Sequence, residues 1–404
     1  MLESGESRFI NRPAVYWLTM VDLGKIREQF PITKEKVYLA HASRGPLPIC
    51  GAEAIQRYVH DSMHSGLTLV DAGVPEDGGR ALFARLVGAG EDEIAFVENT
   101  SVGLNIAAGV VDRSKGSNVV TTDYEYSSVT YPFLRREPGV KVRFVENVDG
   151  MVPLGDMERA VDDETVAVVV SHVHWLNGFR HDLRALAEIA HEHGAYLIVD
   201  AIQSAGGMRI DVRRDGVDFL TAGCYKWLLS PPGSGYLYVR GELIEDFEPP
   251  LAGWRSTSGV RDRDHLTLKL PDDARRFEVG APAYISLVAA TEAMKLLLDA
   301  GKDFVEERIL MLTGHLGDAL RDMGLHVTTP EAASSRSGIL NFRVDQPQRV
   351  VEELNSRGII PCGARPDWAR CSPIFRSTMR VAPHFYNTVG EIDAFIEGVR
   401  EAIR

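Results

Sequence analysis

Along the chain, short apolar, β-branched runs alternate with longer stretches whose apolar residues recur at helical spacing. Strands are predicted at Ile94–Val97, Asn118–Thr121, Lys141–Val145, Val166–Ser171, Ala195–Val199, Val217–Leu220 and Gly235–Val239. Between them Gly103–Val111, Ser127–Arg136 and Asp182–His193 read as helices, the last carrying Leu183, Leu186, Ile189 and Ala190 on one face. Continuously apolar strands alternating with helices predict an α/β fold whose mostly parallel, seven-stranded sheet is buried on both faces. Past Arg240 the pattern changes. A charge-rich, irregular segment, Arg261–Arg276, precedes a long helix at Pro282–Ala300, an alternating strand at Gly338–Val344 and a closing amphipathic helix at Thr388–Ile403. The expected organisation is an N-terminal segment, 1–45, with a strand at Val37–Ala40, shared between active-site mouth and small domain. A large domain, 46–284, and a smaller α+β domain, 285–404, follow. In open α/β sheets, binding sites form beyond the carboxyl ends of the strands, so strand-end residues are the first candidates.

Composition narrows the class. The chain has 404 residues, 45% hydrophobic and 25% charged, ample for more than one packed core. Its 44 Lys+Arg against 57 Asp+Glu leave a net charge of −13, which argues against a broad nucleic-acid surface. No apolar run approaches the ~18–20 residues of a membrane span. The opening MLESGESRFINRPAVYW lacks the basic and apolar regions of a signal peptide. Cys50, Cys224, Cys362 and Cys371 show no paired spacing, so free thiols in a reducing cytoplasm are expected.

The richest stretch is LIVDAIQSAGGMRIDVRRDGVDFLTAGCYKWLLSPPGSGYLYV. Asp200 ends an apolar strand, where a carboxylate must be paired or functional. Gln203 follows in the turn, and Lys226 lies between Tyr225 and Trp227 after the next strand. Taken alone, Lys226 reads as a surface lysine and Asp200 as a helix cap. Together with Gln203 they read as the set needed by pyridoxal phosphate, in which a lysine holds an aldehyde as an imine and an acid keeps the ring nitrogen protonated. Independently, Asn99, Thr100 and Ser101 open a predicted helix after a strand. Free amides and hydroxyls there make either an anion site or an ordinary cap.

These residues resemble the class V aminotransferase and cysteine desulfurase superfamily of pyridoxal-phosphate enzymes, fold type I. The order D-x-x-Q, lysine, G-x-G and strand matches that family, as do YLAHASRGPLP, ENTSVGLN, DYEYSSVTYPF, SHVHWLNGFRHDL, RRFEVGAP and MRVAPHFYNTVGEID. The resemblance implies that Lys226 and Asp200 are catalytic and that Gln203 donates to the phenolic oxygen of pyridoxal 5'-phosphate. It implies that Thr100 and Ser101 hold the phosphate with Tyr225, that Tyr126 stacks on the ring, and that Arg380 grips the substrate carboxylate. His41, with Ser43, is expected to face substrate. It further implies a cytoplasmic homodimer with active sites near the interface, acting on an amino acid or amine, without nucleic acid, membrane or metal.

Three departures from the family pattern shape the expected reaction. The desulfurase cysteine has no clear match: Cys362 and Cys371 flank Arg365, and PCGARPDWARCSPIF lacks the desulfurase spacing. Trp175 replaces the strand-end asparagine common in desulfurases, and narrows the pocket. Ala281 replaces the threonine of the phosphate-reaching segment. SHVHWLNG and YKWLLSPPGSG are nearer the isopenicillin N epimerase-like and aminotransferase branch. Amino transfer is therefore the expected reaction, with C–S cleavage or epimerisation as alternatives. A silent assembly or regulatory homologue is the alternative from another class, and intact Asp200, Gln203 and Lys226 argue against it. His172 and His174, two apart on a strand, lack a third metal ligand nearby. The Gly233–Gly235 turn lacks the dinucleotide fingerprint of a Rossmann oxidoreductase.

Overall fold

The computed structural model describes residues 21–66, 76–111, 116–135, 140–257, 266–364 and 372–404. The opening twenty residues, the first part of the charge-rich Arg261–Arg276 segment, Arg365 and Cys371 lie outside them. In chain order the strands are β1 (Val37–Leu39), β2 (Ile94–Val97), β3 (Asn118–Thr122), β4 (Lys141–Val145), β5 (Thr165–Ser171), β6 (Tyr196–Asp200), β7 (Phe219–Gly223) and β8 (Gly235–Val239). β2 to β8 form the seven-stranded sheet, ordered β2-β8-β7-β6-β5-β3-β4. β3 to β7 pair in parallel, whereas β8 is antiparallel to both its neighbours. Chain length explains the reversal. The connection 224–234 is too short for a helical crossover, so the chain turns straight back.

Alternate residues of the central strands feed two cores. Val168, Val170, Leu197, Val199 and Leu220 pack with helices Glu76–Val87, Leu183–Glu192 and Tyr284–Ala300. Val169, Ile198 and Phe219 pack with helices Thr100–Val110 and Ser127–Leu134. β7 extends past the apolar run that predicts it, because Thr221 to Gly223 continue the ladder against β8. Asp218 closes its base, accepting from Leu197 N at 2.7 Å and pairing with Arg240 at 2.7 Å.

A third core joins β9 (Leu340–Arg343) and β11 (Thr378–Val381), an antiparallel pair, to helices Pro347–Ser356 and Val389–Ala402. β1 pairs in parallel with β10 (Ile359–Pro361), which brings the N-terminal segment into this smaller unit. This core begins later than the sequence pattern places it, at 285. Helix Tyr284–Ala300 buries Leu287, Ala290, Met294 and Leu297 in the large core. Helix Lys302–Asp322 is shared: Phe304, Val305 and Ile309 belong to the large core, and Leu312, Leu316 and Leu320 to the small one. No helix among the described residues is long and apolar enough to cross a membrane.

Candidate active site

The carboxyl ends of β5, β6 and β7 converge with the start of helix Thr100–Val110 and with the β11 strand. Asp200 terminates β6 at 2% exposure, and its Oδ1 accepts from Ile202 N at 2.9 Å. Burial pushes its carboxyl up to about 6, against the opposing pull of that N–H and of the Lys226 charge. Lys226 follows β7 and is half-buried. Its surroundings lower the amine to about 8, through burial first and the Arg380 charge second, while Asp200 acts the other way. Nζ lies 5.7 Å from the Tyr225 ring and 6.0 Å from the Tyr126 ring, and forms no hydrogen bond among the described residues.

The lysine turn is held from behind by the N-terminal segment. Gly45 N donates to Tyr225 O at 3.0 Å. A Cβ on Gly45 would lie 2.1 Å from Lys226 O and 2.8 Å from a Leu229 methyl. Leu229 itself sits at φ 59°, in the left-handed region, a strained conformation costing about 1–3 kcal/mol. Gly45→Ala is therefore expected to lower stability by about 1–3 kcal/mol and to displace the lysine. A thermal melt and cofactor occupancy of the purified variant check this.

Gln203 is fixed by Trp227, the residue after the lysine. Trp227 Nε1 donates to Gln203 Oε1 at 2.9 Å, while Gln203 Nε2 donates to Ala42 O at 3.0 Å and keeps its other N–H. Trp227 O accepts from His384 Nε2 at 3.2 Å. That bond defines the tautomer, since His384 Nδ1 accepts from Phe385 N.

At the helix start, the Asn99 side chain accepts from Val102 N at 3.0 Å, leaving the amides of Thr100 and Ser101 without intrahelical acceptors. Thr100 Oγ1 accepts from Gly223 N at 2.8 Å, tying the helix to the end of β7. Ser101 Oγ lies 2.8 Å from Ser128 Oγ. Tyr126 is 48% exposed and meets Trp175 edge-on, with ring centroids 5.6 Å apart. The RRFEVGAP segment has a structural role that its motif does not announce. Glu278 pairs with buried Arg80 at 2.5 Å and with Arg255 at 3.4 Å, and accepts from Phe96 N at 3.0 Å.

Arg380, 6% exposed, projects from β11. Its guanidinium donates to Trp175 O and, at 3.1 Å, to Ser43 Oγ, and stands 5.9 Å from the Trp175 ring centre. His41 departs from expectation. Its ring is fully buried, Nδ1 lies 2.9 Å from Ala382 O, and Nε2 lies 2.7 Å from the Tyr386 hydroxyl. With both nitrogens engaged, His41 braces the loop and offers no polar atom to a substrate. Ser43 is the residue of that motif at Arg380. Sequence reasoning passed over Glu125, a buried acid between Tyr124 and Tyr126, although aromatic flanks of this kind also mark Lys226 between Tyr225 and Trp227. Among the described residues, no three acidic, histidine or cysteine side chains converge as metal ligands.

Known proteins resemble this chain over most of its length. The pattern of the aminotransferase class-V family matches residues 37–395. An uncharacterised aminotransferase of Bacillus subtilis (strain 168), YcbU, is 31% identical over 92% of this chain and 96% of its own. A probable cysteine desulfurase of Pyrococcus abyssi is 28% identical over 94% and 97%, respectively. The apo structure of a cysteine desulfurase from Thermococcus onnurineus NA1 superposes with a TM-score of 0.84 at 27% identity, covering 95% of this chain and 98% of that one. The chain is thus an enzyme of the class-V aminotransferase family, built on the type I fold of pyridoxal-phosphate enzymes.

Proposed function

We propose that the protein binds pyridoxal 5'-phosphate and transfers the amino group of an amino acid or amine. The observation that carries this reading is the Lys226 amine, lowered to about 8 and free of hydrogen bonds among the described residues, set in one cleft with the buried Asp200 carboxyl. The donor set fits the cofactor: an amine for its aldehyde, an acid for its ring nitrogen, and helix-start amides with the Thr100 and Ser101 hydroxyls for its phosphate. Bound pyridoxal phosphate supplies an aldehyde that condenses with amines and a ring that accepts electrons from the substrate α-carbon.

Lys226 Nζ would hold the cofactor through its aldehyde, and once displaced by the substrate amine would be the group placed to take and return the α-proton. Its lowered proton affinity keeps a neutral fraction ready for both tasks. Asp200 would accept from the ring N–H, Gln203 would offer its remaining N–H to the phenolic oxygen, and Tyr126 would cover a ring face. Tyr225 adds a phosphate contact, and Trp175 walls the pocket against water. The Arg380 fork orients the substrate carboxylate. Arg380→Lys is expected to raise KM about 10–100-fold with a much smaller change in kcat, the loss of one charge-assisted pair of hydrogen bonds. Steady-state kinetics separate the two constants.

Amino transfer is favoured over persulfide-forming desulfuration by the setting of Cys362. Its Sγ lies 3.5 Å from Leu39 O, its N donates to Arg380 O at 3.0 Å, and burial raises its thiol. A persulfide carrier needs a mobile, easily ionised thiol. We also read the chain as a homodimer. Exposed Tyr131 and Leu134, with Leu251 beside Ser101 and Arg135, give an apolar patch at the phosphate end of the site. Gel filtration of an active monomer would sink that part.

Incubating cofactor-loaded protein with single amino acids tests the reaction. Release of a keto acid in proportion to enzyme supports amino transfer, whereas alanine with sulfide from cysteine, or racemisation without keto acid, overturns it.

A further inference from the structure

Glu125 is a buried acid to which the proposed reaction gives no task. It lies in the turn between β3 and helix Ser127–Leu134, and its carboxylate accepts from Ser171 N at 2.7 Å and Ser171 Oγ at 2.6 Å. Ser171 ends β5 and stands opposite Asp200 in the ladder; the next amide, His172 N, donates to Asp200 O at 2.9 Å. Two buried carboxylates thus border a single strand terminus.

The groups facing Glu125 supply no counter-charge. His174 Nε2, from the loop after β5, is 3.9 Å from Glu125 Oε1, and burial holds that imidazole neutral. Tyr124 stacks on His174, and burial and the Glu125 charge keep its hydroxyl protonated. Asp123 turns away to Asn147. Asp200 faces from β6, with Lys226 beyond it. Among the described residues no lysine or arginine pairs with Glu125. Burial first, and the Asp200 charge as well, raise its carboxyl to about 7, against the two Ser171 hydrogen bonds.

We propose that Glu125 is a positioning residue for the ring-side acid: through Ser171 it fixes the β5 terminus beside Asp200, and its negative charge strengthens the hold of Asp200 on a protonated ring nitrogen. The inference rests on the pyridoxal-phosphate reading above. A second anion near the acid raises the proton affinity of the cofactor ring without touching it. The effect vanishes for a cofactor that has no ring nitrogen.

The test compares pyridoxal phosphate with its carbocyclic analogue, in which carbon replaces the ring nitrogen, by fluorescence titration of the apoprotein at about pH 8.5, where an acid raised to about 7 is ionised. E125Q keeps an acceptor for Ser171 and removes the charge. It is expected to weaken pyridoxal phosphate about tenfold, the effect of one pKa unit, and to leave the analogue unchanged. Equal weakening of both ligands, or of neither, overturns the proposal. E125D gives the converse: the preference for pyridoxal phosphate is kept while the melting temperature falls, because the shorter acid loosens the Ser171 bridge. Loss of that preference in E125D overturns the proposal even if E125Q does not fold. Wild-type protein that binds neither ligand refutes the cofactor reading itself, a distinct result.

Discussion

Lys226→Ala is expected to abolish borohydride-fixed cofactor and to reduce turnover by about four orders of magnitude or more, the upper range for loss of a proton-transferring group, with loss of the covalent anchor added. In wild type, reduction should label one peptide, the one containing Cys224 to Leu228. The variant should keep its fold, because Nζ makes no hydrogen bond among the described residues and the turn is held by Gly45 N and by Trp227. Reduction and peptide mapping, alongside circular dichroism, check both halves. Labelling at another lysine would remove the basis of the proposed mechanism.

Asp200→Asn is expected to separate stability from activity. An acid whose folded-state value, about 6, lies above its usual one makes the native state lose stability as pH climbs from the unfolded value through the folded one. The amide cannot ionise, so the loss disappears. At about pH 7 the apoprotein should gain roughly 3 kcal/mol, the free energy of a rise of about two pKa units, in which the opposing pull of the Lys226 charge is already included. Below about pH 3 the gain should be nearly absent, since the wild-type acid is then protonated in the folded and unfolded chains alike. Turnover should nevertheless fall on the order of a thousandfold, because the acid no longer stabilises a protonated ring. Melts of both apoproteins across this range, with activity of the loaded forms, give the comparison. A destabilised variant at neutral pH would contradict the burial argument.

Much of the sheet is legible from polarity alone because its strands are apolar on both faces, and a buried run such as Val166–Val170 admits no competing reading. The reversal at β8 is legible only from the length of a connection. Where the small core starts is not legible in the sequence, because helix Tyr284–Ala300 has the same periodicity whichever core it serves; only tertiary packing decides. At the site, Asp200, Gln203 and Lys226 stand out because a charge at the end of an apolar strand violates the local pattern. Glu125 lies three residues past β3, after Asp123 and between tyrosines, where no apolar run sets it off. His41 misled for the opposite reason. Its motif marks a loop near the cleft, yet which way a ring points depends on Ala382 and Tyr386, far along the chain.

Helix Lys302–Asp322 has one end rooted in each of two cores. A stiff rod shared in this way forbids a wide swing of one lobe about the other. Any tightening of the cleft around a substrate must come as a shallow tilt, with flexing concentrated where Gly314 and Gly317 thin the rod. A tilt of that kind leaves Arg380 close to its place beside Trp175 O and Ser43 Oγ.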